Sequence, residues 1–197
     1  MTSPVTRTAR PLGHRLLLWG GGGKTTLSRA LGAKLGYPVI ELDALYWLPD
    51  WEERDAVEFK ALVARRLDEA GDSWIADGQY LTALGPSMLE SADTVIWLEL
   101  PWRVIFWRTF TRAIARARDR RLICGENVET WRQVFFRRDS LIWWYIRLRL
   151  SRGWSKRLAK RQQFLDEFGQ HLTQIHIQSV GELDRFYAEH GLERPDE

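Results

Sequence analysis

Residues 16–27 are Leu-Leu-Leu-Trp-Gly-Gly-Gly-Gly-Lys-Thr-Thr-Leu: an apolar run, four glycines and then Lys-Thr-Thr. Leucines continue at helical spacing, at positions 27, 31 and 35. This pattern predicts a strand, a glycine turn and a helix that begins near the lysine. Glycines in such a turn let backbone N–H groups surround phosphate oxygens, and the N-terminus of the helix adds positive partial charge. The stretch therefore predicts a phosphate-binding loop.

The residues of this loop have distinct expected tasks. Lys24 is expected to reach the β- and γ-phosphates of a nucleotide, and the Thr25 hydroxyl to ligate Mg²⁺. The rest of the expected cofactor-binding set is Gly20, Gly21, Gly22, Gly23 and Thr26. The usual pattern has a glycine six residues before the lysine, where this chain has Leu18. Either Leu18 takes that place, or the loop begins at Gly20 and is shorter than usual. A flexible turn without a ligand is the remaining alternative.

Length and composition limit the class of protein. The chain has 197 residues, of which 45% are hydrophobic, so it can form one domain with a sizeable core. No apolar run approaches the ~20 residues of a membrane span, and no secretory signal pattern opens the chain. The single cysteine, Cys124, excludes an internal disulfide and disfavours a zinc site made by protein ligands alone. We expect a cytoplasmic protein with one domain at residues 14–191 and loose tails at 1–13 and 192–197.

The charge is unevenly distributed along the chain. Its formal net charge is +3, yet residues 102–161 contain 17 Lys and Arg against 4 Asp and Glu, a local net of +13. The remainder of the chain therefore carries −10. Such a basic block predicts an anionic partner, which can be a polyphosphate, a nucleic acid or an acidic surface.

Apolar segments that contain β-branched residues alternate with helical patterns. The predicted strands are residues 15–19, 38–42, 74–76, 94–98 and 174–178. The predicted helices are residues 24–35, 53–70, 82–90, 102–118, 128–149, 155–168 and 180–189. This alternation favours an α/β fold, in which helices cover both faces of a parallel sheet. Ligands of such sheets bind at the carboxyl ends of the strands.

Acidic residues follow the predicted strands at that edge. Asp43 is expected to accept a proton from a substrate hydroxyl or to hold Mg²⁺ through water, and a helix cap or turn is the alternative. Asp77 is expected to reach the metal through water, and otherwise forms a turn. Glu99 is expected to do the same, with capping of the following helix as the alternative.

Arginines recur every four residues in the helix predicted at 102–118. Arg108, Arg112 and Arg116 share one face of it, and Arg137 and Arg138 form a second cluster on the next helix. Arginine suits a phosphate because its planar fork is always charged. We expect Arg108, Arg112 and Arg138 to take part in catalysis, with solvated surface positions as the alternative. The opposite side of the first helix is predicted to pack in the core through Trp102, Phe106, Phe110 and Ala113.

The segment 119–128 lies between two predicted helices. A lid there would exclude water from a transfer reaction, and a plain surface loop is the alternative. The 11 tryptophans include Trp143 and Trp144, which lie among arginines. We attribute these to core packing, with membrane-interface contact or base stacking as alternatives. The histidines lack ligand-like spacing, and no role is expected for them.

Several stretches of this chain resemble adenylate-kinase-like P-loop proteins, especially bacterial chains labelled DNA topology modulation protein or adenylate kinase. The matching stretches are residues 23–27, 42–47, 74–80, 93–101, 107–108, 129–132 and 138–141. The similarity covers about residues 15–180. It implies a P-loop NTPase fold like that of nucleoside monophosphate kinases, with five parallel strands in the order 2-3-1-4-5. It also implies ATP and Mg²⁺ at the loop and a lid that carries arginines.

The resemblance leaves the acceptor open. Asp77-Gly78 is similar to the Asp-Gly after the third strand of nucleoside monophosphate kinases. Adenylate kinases continue with Phe-Pro-Arg, whose arginine holds the monophosphate, whereas this chain continues with Gln79-Tyr80-Leu81. We expect a kinase that transfers the γ-phosphoryl group of ATP to a nucleoside monophosphate or another small molecule. The alternative is a nucleotide-dependent DNA-binding protein without robust kinase activity.

Overall fold

The computed structural model describes residues 11–119, 122–124, 127–128, 131, 147 and 153–195. Within these residues, five parallel strands form one sheet in the order β2-β3-β1-β4-β7. Its strands are β1 (Arg15–Gly21), β2 (Val39–Glu41), β3 (Trp74–Asp77), β4 (Thr94–Glu99) and β7 (Thr173–Ile177). A separate antiparallel hairpin contains β5 (Leu122–Ile123) and β6 (Asn127–Val128). Without the hairpin the order is 2-3-1-4-5, so the predicted fold class is confirmed.

The helices of the described residues lie mostly where the sequence predicts them. They are α1 (Lys24–Leu35), α2 (Leu42–Tyr46), α3 (Ala56–Ala70), α4 (Leu81–Leu84), α5 (Ser87–Ser91), α6 (Trp102–Asp119), α7 (Gly153–Phe168) and α8 (Val180–Glu189), with a 3₁₀ turn at Pro49–Trp51. One difference comes from local capping. The helix predicted at 53–70 begins only after Asp55, whose carboxylate accepts hydrogen bonds from the N–H groups of Val57 and Glu58.

Two other secondary-structure predictions were wrong, and one concerns residues that the structure does not describe. The single helix predicted at 82–90 is two short helices, because the chain turns at Gly85, where φ is +62°, and Pro86 follows. The predicted end of the second strand is also wrong, since Leu42 and Asp43 begin α2. The helix predicted at 128–149 lies almost entirely outside the described residues.

Both faces of the sheet are covered by helices. In β1, Leu17 and Trp19 point to one face, where they pack in a cluster with Phe59 of α3. Leu16 and Leu18 point to the opposite face, where they pack in a cluster with residues of α1 and α8. All four β1 side chains are at most 1% exposed, as expected for a central strand of a parallel sheet.

The buried stripe of α6 differs from the predicted one. Its buried residues are Ile105, Thr109, Ala113 and Ala117. Ala113 was predicted correctly, but Trp102, Phe106 and Phe110 are only half-buried. The helix begins directly after Pro101. Ile105 packs in the cluster that contains Leu16 and Leu18, and this contact determines which side of α6 is buried.

The ends of the described chain contact the domain. The N–H of Gly13 donates to Thr94 Oγ1, and Leu192 packs against the cluster that contains Leu16 and Leu18. Arg194 donates to a carboxylate oxygen of Asp184 in α8. Within the described part of the chain, no helix has both the length and the apolar composition required to cross a bilayer.

Candidate phosphate-binding site

The glycine turn is short. Leu18 is a fully buried residue of β1 and pairs with Asp77 of β3 and Ile96 of β4. β1 continues through Gly21, since Gly20 pairs with Leu98 and Gly21 with Glu99 of β4. The turn between β1 and α1 therefore contains only Gly22 and Gly23, and it is shorter than either predicted alternative. Gly20 has φ +99°, and a Cβ built there would lie 1.8 Å from the carbonyl oxygen of Leu98. Only glycine fits at this position.

The backbone N–H groups in the first turn of α1 have no side-chain cap in the described part of the chain. Gly23 is the N-cap, with φ +143°, and no side chain caps the helix among the described residues. The first turn contains no acidic residue, so no carboxylate of its own competes for these N–H groups. Uncapped N–H groups at a helix N-terminus are suited to an anion.

Lys24 and Asp77 form an ion pair at the mouth of the turn. Lys24 Nζ lies 2.5 Å from Asp77 Oδ1, and Asp77 is only 4% exposed. The hydroxyl of the buried Ser28 lies 3.4 Å from Asp77 Oδ2 and donates to the carbonyl of Thr25. Burial makes each charge depend on the other, because removal of one partner leaves an uncompensated charge. The structure thus brings together the predicted phosphate-binding lysine and the predicted metal-associated carboxylate.

Of the two predicted catalytic arginines that lie within the described residues, Arg108 reaches the loop and Arg112 does not. Arg108 of α6 donates a hydrogen bond to the carbonyl oxygen of Gly22. A Cβ built at Gly23 would lie 3.2 Å from Nη1 of the same arginine. Arg112 lies one helical turn further along α6 and is exposed. Arg138 lies outside the described residues.

Glu99 lies beside the loop and has a partner that was not predicted. It ends β4 in register with Gly21, and its Oε2 lies 2.7 Å from His176 Nε2. The His176 ring stacks on the ring of Trp97, with 4.4 Å between the ring centroids. His176 comes from β7, and no local sequence pattern indicates that pairing. The expectation that the histidines have no role therefore missed this contact with a predicted site residue.

Asp43 lies in the first turn of α2 and is exposed. Its Oδ1 accepts a hydrogen bond of 2.6 Å from the Tyr80 hydroxyl. Burial, and then the charge of Asp43, raise the pKa of the Tyr80 hydroxyl well above its ordinary value of 10.0. The phenol thus remains protonated and acts as a donor. Asp43 does not cap α2, since Glu41 is the N-cap residue and makes no side-chain cap. Tyr80 is a second neighbour that the sequence analysis did not predict.

Part of the expected lid segment is attached to another loop. Asn127 is 2% exposed, and its Oδ1 accepts a hydrogen bond of 2.9 Å from the N–H of Trp51. Its Nδ2 donates to the carbonyl oxygens of Leu48 and Cys124. One side chain thereby joins the β5–β6 hairpin to the turn at residues 48–51.

A scan of protein-family models and a search of curated proteins each found no match. Among solved structures, the chain is similar to a gluconokinase from Sinorhizobium meliloti 1021, with 14% sequence identity and a TM-score of 0.47. The alignment covers 92% of this chain and 91% of that one. A likeness of this size assigns neither a substrate nor an activity to this chain.

Proposed function

We propose that this protein is an ATP-dependent phosphotransferase that moves the γ-phosphoryl group of ATP to a hydroxyl group of a small acceptor. The observation that carries this proposal is the position of Lys24. Lys24 is the first residue of α1, whose N-terminus has no side-chain cap among the described residues, and its ammonium group lies against the buried carboxylate of Asp77. A lysine, uncapped backbone N–H groups and a carboxylate at the carboxyl edge of a parallel sheet suit a nucleoside triphosphate and its metal ion.

The residues around the loop suit ATP and Mg²⁺. Mg²⁺ is usually held by one or two carboxylates together with water and substrate phosphates. In this chain Thr25 supplies a hydroxyl, and Asp77 and Glu99 supply carboxylates that would act through water. When bound, Mg²⁺-ATP supplies the activated phosphoryl group. Lys24 and the N–H groups of α1 would hold its phosphates.

Two residues would act on the transfer itself. The acceptor oxygen forms a bond to the γ-phosphorus, the bond to the β–γ bridging oxygen breaks, and ADP leaves. Asp43 would orient the acceptor hydroxyl and take its proton, while the Tyr80 hydroxyl holds the carboxylate in place. Arg108, which lies against the loop, would neutralise charge that develops on the migrating group.

The DNA-binding alternative remains a prediction. It depends on the basic block at residues 102–161, of which most of 120–152 lies outside the described residues. No contact within the described residues favours it over phosphotransfer. Steep loss of DNA affinity with added salt would be its expected property.

Calorimetric titration with Mg²⁺-ATP tests the nucleotide half of the proposal. We expect wild-type protein to bind and Lys24→Ala to bind at least about tenfold more weakly, because the lysine contacts the β- and γ-phosphates. Lys34→Ala is the matched control, since Lys34 lies in the last turn of the same helix. Equal binding by wild type and Lys24→Ala would contradict the proposal.

Release of ADP tests the transfer half. Turnover is measured with a panel of nucleoside monophosphates and small alcohols, and we expect at least one compound to accelerate ADP release in the wild type but not in Lys24→Ala. If no acceptor raises the rate above slow hydrolysis, the chain binds nucleotide without acting as a kinase.

A further inference from the structure

We infer that the acceptor is an alcohol that also carries a positive charge, such as an amino or quaternary-ammonium alcohol. This inference rests on the proposed function and names the acceptor class of the same site. It follows from the aromatic and acidic surroundings of Asp43.

Four aromatic side chains form a continuous row that ends at Asp43. We call Tyr46, Trp47, Trp51 and Tyr80 the aromatic row. The ring centroids of Trp51 and Trp47 lie 5.8 Å apart, those of Trp47 and Tyr46 5.1 Å, and those of Tyr46 and Tyr80 4.6 Å. All four residues are half-buried, and the rings of Tyr46 and Tyr80 also contact Phe59 of the core. Tyr80 then contacts Asp43 through its hydroxyl.

The segment that carries most of the aromatic row is strongly acidic. Residues 41–58 contain seven Asp and Glu and one basic residue, Arg54. Arg54 is already engaged, since its guanidinium donates to the carbonyl of Leu45 and to Glu58. This flank of the site therefore has the opposite charge to the basic block at residues 102–161. An acceptor that carries a phosphate would be repelled here.

Two carboxylates contact the aromatic row through the hydroxyl groups of its tyrosines. The Tyr46 hydroxyl donates to Glu53 Oε2 over 2.9 Å, as the Tyr80 hydroxyl does to Asp43. Aromatic faces and acceptor oxygens attract cations and the N–H or O–H groups of a ligand.

The outer end of the row is fixed by the fold. Trp51 has a left-handed backbone, with φ +63°, and so has Asp50 before it, with φ +61°. Non-glycine residues keep this conformation only where their surroundings impose it. Here the Asn127 side chain binds the N–H of Trp51 and the carbonyl of Leu48. Trp51 is thus held against Trp47 by the hairpin.

The test compares ligands that differ in charge but not in shape. Choline and its neutral isostere 3,3-dimethyl-1-butanol form one pair, and glucosamine and glucose form a second. Binding to the full-length protein is measured by calorimetry in the presence of Mg²⁺-ADP. We expect the cationic member of at least one pair to bind about tenfold more tightly than its neutral partner. Equal affinities in both pairs, tighter binding of AMP than of either cation, or no binding of either cation would overturn the inference.

Variants show whether the preference arises at the aromatic row. Trp47→Leu and Asp43→Asn should each reduce the charge preference to about twofold or less, because one removes a ring face and the other a carboxylate. Glu69→Gln is the matched control. It removes a negative charge from the C-terminal end of α3, just before β3 begins and so at the opposite edge of the sheet. A preference that survives both site variants, or that Glu69→Gln abolishes, would contradict the assignment.

The two proposals fail in different ways. If wild-type protein binds Mg²⁺-ATP and transfers phosphate to a neutral or anionic acceptor, the proposed function holds and the inference of a cationic acceptor is wrong. If the protein prefers cations but no alcohol accelerates ADP release, the proposed function is wrong. The aromatic row is then a binding site for cations without phosphate transfer.

Discussion

At the scale of single residues, the candidate site depends on a few positions that tolerate little change. Gly20 lets β1 continue directly beside the carbonyl oxygen of Leu98 in β4, and Asp77 holds the ammonium group of Lys24. Asp43 likewise depends on Tyr80, whose raised pKa keeps the phenol a donor. These dependences give two predictions.

Substitution of Gly20 by alanine should destabilise the protein far more than substitution of Gly36. Both glycines have positive φ, +99° and +73°, so each alanine costs about 1 kcal/mol in backbone strain. At Gly20 the new Cβ would also lie 1.8 Å from the Leu98 carbonyl oxygen, whereas nothing lies within 4 Å at Gly36. Free energies of unfolding in urea measure the difference. Equal losses in the two variants would contradict the close approach of Gly20 to the Leu98 carbonyl oxygen.

Tyr80 should make stability fall at high pH. Its pKa in the folded protein is raised above the ordinary value of 10.0, so its contribution is fully present below about pH 10 and is lost as the pH rises further. The free energy of unfolding is measured from pH 8 to pH 11 for wild type and Tyr80→Phe. We expect the decline to be shallower in the variant, and parallel curves would contradict the contact of the Tyr80 hydroxyl with Asp43.

At the scale of elements, α6 places its arginines unequally around the loop. Arg108 touches the carbonyl of Gly22, and Arg112, a turn later, is exposed. The helix starts directly after β4, so its first turns lie at the carboxyl edge of the sheet and its later turns lead away from it. The same face of one helix therefore contains one arginine at the site and one further from it.

Replacement of Arg108 by alanine should lower kcat about a hundredfold or more, because charge on the migrating phosphoryl group loses a positioned cation. Arg112→Ala is the matched control on the same helix and should change kcat by about twofold or less. Steady-state kinetics with the best acceptor measure both variants. If Arg112→Ala proves as damaging as Arg108→Ala, then α6 approaches the nucleotide differently from the arrangement described here.

At the scale of the whole molecule, segments far apart in sequence meet at one edge of the sheet. The glycine turn, the end of β3 and the end of β4 lie on adjacent strands, and Asn127 of β6 binds the turn at 48–51. The molecule also divides its charge, with an acidic, aromatic segment at 41–58 and a basic block at 102–161. We expect this division to separate acceptor binding from polyphosphate binding.

Asn127→Ala should release the turn at residues 48–51 without disturbing the glycine loop. The change removes three hydrogen bonds of a buried side chain and leaves the Trp51 N–H without its partner, so we expect a loss of about 2 kcal/mol in unfolding free energy. Hydrogen exchange should accelerate at Trp51 and remain unchanged in α1. Gln170→Ala, which removes one exposed hydrogen bond, is the control. Unchanged exchange at Trp51 would show that the hairpin does not hold this turn.

The sequence by itself determined the features that depend on short-range chemistry. The glycine loop, the start of α1 at Lys24 and the end of α8 at Glu189 follow from glycine content and from the period of apolar residues. The five strands and their parallel arrangement follow in the same way, because buried strands and covering helices alternate along the chain. The pair Gly85-Pro86 in the sequence marks the break in the helix predicted at 82–90.

Only the tertiary structure decided which distant residues meet. The contact of His176 with Glu99, of Tyr80 with Asp43 and of Asn127 with Trp51 joins residues 37 to 77 positions apart. Sequence spacing carries no information on these pairs, because they depend on strand register and on how helices pack across the sheet. The packing of α6 likewise places Arg108 against the loop and leaves Arg112 exposed. Local pattern thus predicted the glycine turn and the start of α1 at Lys24, whereas the surroundings of Asp43, where we propose that an acceptor binds, arise from long-range packing.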